Sequence, residues 1–349
     1  MGEFTLSKFQ RRIHEDFMKQ LRSDSALGEN PWLRDMLRLW RPPGELIGEH
    51  GMEQTSSGAE GPTPSQMQAH LRLAIRALTI NLYRNGQSVA RIGLNRNGMI
   101  QARIHNKYVG GDDMEEGYTI LTHAGFKDPA TGQCVPYEGT AQLNTWKARA
   151  NGHGGLEKRF VDLVVARNPN VIDLEMGLPA YSTSPYERRA ARMDMVALEP
   201  TRDGWQIVFW EAKLASDGRA RCSGPVVPKL EPKVLKQLWD YTDWLRHENN
   251  CELVARECQN ACRLLVDLHE IVKGFNPGIQ ELGAGIQAVA AEAAQPLLVD
   301  DEPRLLIDGR DPDPSRTFID NGHLEKLCKT GLHVKMVQSD DEMILETRS

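Results

Sequence analysis

The chain has 349 residues, 40% hydrophobic and 26% charged, enough for one large domain or two modest ones that each bury a core. No run of about 18 apolar residues occurs, which excludes a helical membrane span, and six cysteines behind an N-terminus without secretory-signal zones lead us to expect free thiols in a reducing cytoplasm. A formal charge of −6 argues against coating nucleic acid by bulk electrostatics, but the charge is uneven: 18 Lys and Arg stand against 16 Asp and Glu in residues 1–150, and 24 against 32 thereafter. A local basic groove and an acidic, metal-holding cluster in the second part both fit that division.

Phe9, Ile13, Phe17 and Leu21 recur every fourth residue and predict a helix within 5–22 whose apolar stripe must dock. Residues 1–48 thus read as a helical arm, a surface for a protein partner or a second copy of the chain. From 49 to 66 the composition turns to Gly, Ser, Thr and Pro, as in a linker. Over 67–150 we expect an accessory region: a helix across Gln66–Tyr83, then strands Ser88–Leu94 and Met99–Ile104 joined through the turn signal Asn97-Gly98. Arg76, Arg84, Arg91, Arg96, Arg103 and Lys107 crowd this region and make it the candidate contact with a phosphate backbone, the alternative being an ordinary solvated face. Residues 109–150 carry little periodicity.

The remainder, 151–349, is better organised. A helix is expected at Leu156–Ala166, strands at Val171–Met176, Arg192–Leu198 and Trp205–Leu214, and a long helix after Pro232 through Val234, Leu238, Tyr241 and Leu245. Helical stretches at Glu252–Val272 and Ile279–Ala294 form an insertion at about 251–296. A strand at Arg304–Ile307, a helix at Asp320–Lys329 and strands at His333–Val337 and Met343–Glu346 follow. The expected class is α/β, a mixed central sheet flanked by helices with an N-terminal helical and hairpin region before it.

The chemically informative feature is charge inside apolar strands. Asp194 interrupts Met193-Asp194-Met195-Val196-Ala197-Leu198, and an isolated buried carboxylate is costly unless paired or bound to metal. Glu211 and Lys213 end the apolar strand Ile207-Val208-Phe209-Trp210 two residues apart, hence on one face. A hairpin through Thr201-Arg202-Asp203-Gly204 would bring Asp194 close to Glu211. Cys251, Cys258 and Cys262 suit one helical face without a fourth nearby cysteine, so they read as buried helix cysteines and not as an iron–sulfur set.

Asp194 followed by Glu211-Ala212-Lys213, with Glu157 on the preceding helix, resembles the PD-(D/E)xK, restriction-endonuclease-like, nuclease superfamily. Gln237-Leu238-Trp239-Asp240-Tyr241 is similar to the Q-x-x-x-Y element of its RecB-like branch, while Met193 stands where the nominal motif has proline. The resemblance covers roughly 150–250. It implies a restriction-endonuclease-like core in which Asp194, Glu211, the Ala212 carbonyl and Glu157 hold Mg²⁺ or Mn²⁺. It implies that Lys213 orients the attacking water and stabilises the phosphate, with Gln237 and Tyr241 alongside. It further implies phosphodiester hydrolysis, DNA favoured over RNA, leaving 5′-phosphate and 3′-hydroxyl ends, in restriction or phage defence. Activation by a partner or small ligand is one option. The alternative is a non-catalytic nucleic-acid-binding or assembly module on the same fold.

Overall fold

The computed structural model describes residues 9–44, 70–111, 116–178, 192–222, 232–247, 249–291 and 297–345. The predicted linker 49–66, the last three residues of the predicted helix 279–294 and Glu346 lie outside them. Within the described residues the chain is mixed α/β with two sheets, and no helix is long and apolar enough to cross a membrane.

Three short helices come first, α1 (Glu15–Leu21), α2 (Asp24–Glu29) and α3 (Pro31–Arg38). Ser23 caps α2 by accepting from Ala26 N, and Pro31 opens α3 where its missing N–H costs nothing. Phe17 and Leu21 of the predicted stripe lie on α1, whereas Phe9 and Ile13 precede it in non-helical chain.

An antiparallel meander of seven strands follows in chain order: β1 (Arg72–Arg76), β2 (Thr79–Arg84), β3 (Gln87–Leu94), β4 (Ile100–His105), β5 (Tyr118–Thr122), β6 (Gly125–Lys127) and β7 (Cys134–Val135). The helix expected over 66–83 is therefore wrong: its described part is the β1–β2 hairpin, turning at Ala77-Leu78. Leu73 and Ile75 of β1, then Ile80 and Leu82 of β2, recur at a period of two, which places each pair on one face of a strand and not of a helix. The Asn97-Gly98 turn joins β3 to β4 as expected, with Gly98 at φ +75°. A short helix α4 (Asn106–Val109) follows β4, and the stretch 109–150 that carried little periodicity holds β5–β7 and a second helix, α5 (Thr140–Gly152). The second buries Leu143, Trp146 and Ala150, with Trp146 meeting Phe126 edge-on at 5.5 Å between ring centres.

Helix α6 (Leu156–Arg167) leads into the second sheet, whose strands β8 (Val171–Gly177), β9 (Arg192–Thr201) and β10 (Gly204–Leu214) are antiparallel. Beyond β10 come α7 (Lys233–Arg246), α8 (Asn250–Lys273) and α9 (Ala284–Ala291). Strands β11 (Leu298–Val299) and β12 (Arg304–Asp308) then run parallel to β10. After α10 (Pro312–Asp320) and α11 (His323–Cys328), β13 (Val334–Val337) adds in parallel beside β12. The predicted helix 320–329 is α11, and the unpredicted α10 precedes it, the two separated at Asn321-Gly322 where Gly322 takes φ +69°. No strand forms at 343–345; Asp340–Met343 is a 3₁₀ turn that tucks Met343 beneath the sheet.

The second sheet is covered on both faces. Phe160, Val161, Val164 and Val165 of α6 pack with Met195, Trp210 and Ala212, while Val196 and Phe209 share the opposite core with Leu238 and Tyr241 of α7. Alternation along β9 and β10 produces this division. The N-terminal arm docks on its own chain: the Arg11 backbone N–H donates to buried Glu257 on α8 at 2.8 Å, and Arg22 pairs with Asp267 at 3.0 Å. Buried ion pairs join the two sheets. Arg11 and Arg76 both bind Asp173 on β8, and Arg72 and Arg84 both bind Asp162 on α6.

Candidate active site

The β9–β10 hairpin turns through Arg202-Asp203 with Thr201 opposite Gly204, and the same register pairs Met195 with Trp210. Asp194 therefore comes abreast of Glu211 on one face, as the strand reading expects. Both carboxylates are sealed from solvent, 4% and 2% exposed, as is Lys213 at 1%. One Asp194 oxygen accepts from the Ala212 N–H at 2.9 Å. Its other oxygen accepts from Lys158 Nζ at 2.5 Å.

Lys213 Nζ donates to Glu211 Oε1 and, at 2.7 Å, to the Ala212 carbonyl, and it lies 3.6 Å from Glu157 Oε2. Glu157 sits in the first turn of α6, where the helix dipole favours a carboxylate, and also accepts from Arg219 at 2.8 Å. From α7, Gln237 Nε2 donates to Glu211 Oε1 at 2.8 Å. The Tyr241 hydroxyl reaches Glu211 Oε2 at 3.3 Å and the Arg192 carbonyl, and Gln237 touches Tyr241 at 2.5 Å. The two residues lie one helical turn apart and so share a face. All six side chains singled out on this part of the sequence meet in one place.

Electrostatics follows from burial and crowding. Burial, reinforced by Asp194 and opposed by Lys213, pushes the Glu211 carboxyl up to about 8. Burial also raises Glu157, against the pull of Lys213. Burial works against the Lys158 ammonium, but Asp194 and Glu175 outweigh it and hold its pKa above the ordinary lysine value. Burial, then the charge of Glu211, raises the Tyr241 phenol, so it stays a hydrogen-bond donor.

The donors here are hard oxygens: two carboxylates and the Ala212 carbonyl, with Glu157 joined to them through Lys213. Among the described residues no three His, Cys, Asp or Glu side chains converge as a metal-holding group. The donor chemistry nonetheless fits a hard divalent cation, since carboxylate and carbonyl oxygens are the ligands such an ion takes, and Asp194 and Glu211 stand abreast beside the Ala212 carbonyl.

Lys158 and Glu175 were not anticipated. Glu175 holds Lys158 Nζ at 2.5 Å from β8, with its own backbone in the left-handed region at φ 51°, a conformation a glutamate adopts only at a cost. Its signal was present, since Asp173 and Glu175 interrupt Val-Ile-Asp-Leu-Glu-Met as Asp194 interrupts its own strand. The accessory sheet also reaches this point. A Cβ on Gly86, in the β2–β3 turn, would meet Lys158 Cδ at 2.8 Å and Glu175 Oε1 at 3.2 Å.

The basic candidates divide. Arg76 and Arg84 turn inward, Arg76 onto Asp173 at 2.5 Å and Arg84 onto Asp162 at 3.4 Å, so they hold the sheets together and do not face a phosphate backbone. Arg91, Arg96 and Arg103 are exposed and Lys107 is half-buried. Cys258 and Cys262 are fully buried on α8, and burial pushes their thiols up, as expected of packed helix cysteines.

No family model, curated protein or solved structure matches the chain. Geometry alone therefore carries the functional reading.

Proposed function

We propose that the chain is a metal-dependent nuclease of the PD-(D/E)xK type that hydrolyses phosphodiester bonds, with DNA the favoured substrate and restriction or phage defence the favoured setting. The observation that carries this reading is Asp194 abreast of Glu211 with Lys213 two residues on, all buried, at the end of a covered hairpin. The mixed sheet with helices on both faces is compatible with a restriction-endonuclease-like core. In this reading Asp194, Glu211, the Ala212 carbonyl and Glu157 hold Mg²⁺ or Mn²⁺. The ion would polarise the scissile phosphate and lower the pKa of the attacking water.

The chain's own groups do the rest. Lys213 Nζ orients the water and donates to a non-bridging phosphate oxygen as negative charge accumulates. Gln237 and Tyr241 fix the Glu211 carboxylate by donating to its two oxygens and are positioning residues. Arg219, 48% exposed and anchored on Glu157 and Asp217, would supply a further positive charge to the phosphate.

The test is cleavage of linear and circular duplex DNA, single-stranded DNA and RNA in Mg²⁺, Mn²⁺ or EDTA. Cutting should need metal, vanish in Glu211→Gln and fall by about 10²-fold or more in Lys213→Ala. Full activity in either variant would refute the assignment. A second reading, a non-catalytic binding or assembly module, draws on one observation: Lys158 and Lys213 already satisfy both carboxylates within the protein. Absence of metal binding by isothermal titration would favour it.

A further inference from the structure

The solvent face of the accessory sheet, with the ends of α4 and α5 beside it, carries a row of rings and cations that the catalytic reading does not use. Tyr118 lies 5.5 Å from the His105 ring, His105 lies 5.8 Å from Tyr108, and Tyr108 lies 5.9 Å from His153, centre to centre. Tyr118 is 55% exposed, His105 and His153 are half-buried, and Tyr108 forms the floor with its hydroxyl on Gln87 at 2.9 Å. The Arg103 guanidinium stands 5.0 Å over Tyr118, and Lys107 Nζ stands 5.0 Å over Tyr108. The strand register sets Arg91, Arg103 and Ile120 side by side, with Ile120 38% exposed.

Two arginines directly opposite each other on neighbouring strands repel, and a sheet ordinarily separates or neutralises them. Among the described residues no carboxylate is ion-paired with Arg91, Arg103 or Lys107; Glu116 is the acid within electrostatic reach of His105. The row also has a direction. It ends at His153, and Gly154 and Gly155 then lead into α6 at Glu157, while Gly154 packs against Asn85 of the turn that touches Lys158.

We propose that this face is a track for single-stranded nucleic acid, which guides a strand from β5 to the Glu157 end of the active site. Unpaired bases would stack on Tyr118 and lie against Ile120, and phosphates would meet Arg91, Arg103 and Lys107. A duplex keeps its bases stacked on one another and would leave Tyr118 unused. The track rests on the nuclease reading only for what happens at its end.

The experiment is fluorescence anisotropy of the full chain in EDTA, with labelled 12-nucleotide single strands of DNA and of RNA and with a duplex of the same length. Single strands should bind about tenfold tighter than duplex. Tyr118→Ala should weaken strand binding about tenfold, and Arg91→Ala and Arg103→Ala should each lower the salt slope by roughly 0.7. Whichever polymer binds tighter identifies the strand. The inference is overturned if all three variants, which change exposed side chains, bind like the parent, or if duplex binds as tightly as single strand.

Hydrolysis of thymidine 5′-p-nitrophenyl phosphate in Mn²⁺, a substrate too short to span the track, tests the catalytic reading separately. Turnover with track-independent strand binding removes the track alone. Track-dependent binding without turnover removes the nuclease reading and leaves the track standing.

Discussion

Asp173 offers the sharpest test of how the chain is held together. Its carboxylate, buried on β8, accepts from Arg11 Nε and Nη2 at 3.0 and 2.8 Å and from Arg76 Nη1 at 2.5 Å. It thereby ties the N-terminal arm and the first sheet to the second. In Asp173→Asn two guanidinium groups lose their shared counter-charge while their surroundings stay dry. Removing one partner of a buried ion pair costs about 3–5 kcal/mol, most of it from the stranded charge and not from the lost attraction. Urea unfolding at pH 7 should register that loss, whereas Asp16→Asn, in an exposed pair with Lys19, should change stability by less than about 1 kcal/mol. The apolar triple variant Arg11→Met, Asp173→Leu, Arg76→Met should recover most of the stability, because none of the three then leaves a charge without its partner. A loss below about 1 kcal/mol in Asp173→Asn would refute the reasoning, since water would then have to reach the junction.

Glu211 has a folded-state pKa of about 8 against an ordinary 4.5, so its contribution to stability is fully present below about 4.5 and is lost as pH rises through about 8. In EDTA the parent should weaken across that window by at most on the order of 5 kcal/mol, and Glu211→Gln should lack this pH dependence; a parent that stabilises with rising pH would contradict the assignment. Lys158→Met removes the ammonium between Asp194 and Glu175. It should lower stability in EDTA and tighten Mn²⁺ binding by about tenfold in isothermal titration, as one cation replaces another; unchanged metal affinity would show that Lys158 does not compete. The exposed Cys134 and Cys328 should react with a disulfide reagent at once, and Cys258 and Cys262 only on unfolding; fast reaction of all six thiols would contradict the packing of α8.

Much of the second half was legible in the sequence for a local reason. The period-two pattern of β9 and β10, the two-residue turn between them and the helical spacing from Val234 to Leu245 are short-range signals, and they set which side chains share a face. Given that hairpin, Asp194, Glu211 and Lys213 had to converge. A period of two also runs through β1 and β2, where Leu73 and Ile75, then Ile80 and Leu82, recur, but buried Ala74 between the first pair blurs the alternation and leaves the stretch compatible with a helix.

What the sequence could not determine is pairing between distant segments. That Arg76 meets Asp173 and Arg84 meets Asp162 depends on how the first sheet is laid against α6 and β8, contacts spanning 97 and 78 positions with no local trace. An arginine in a basic stretch reads alike whether it faces water or a buried carboxylate. Lys158 likewise became part of the site only when α6 was set beside β8 and the Asn85-Gly86 turn closed over it. Local chemistry specified which residues would stand together on a strand or helix, and tertiary packing, through desolvation, decided which charges had to find each other.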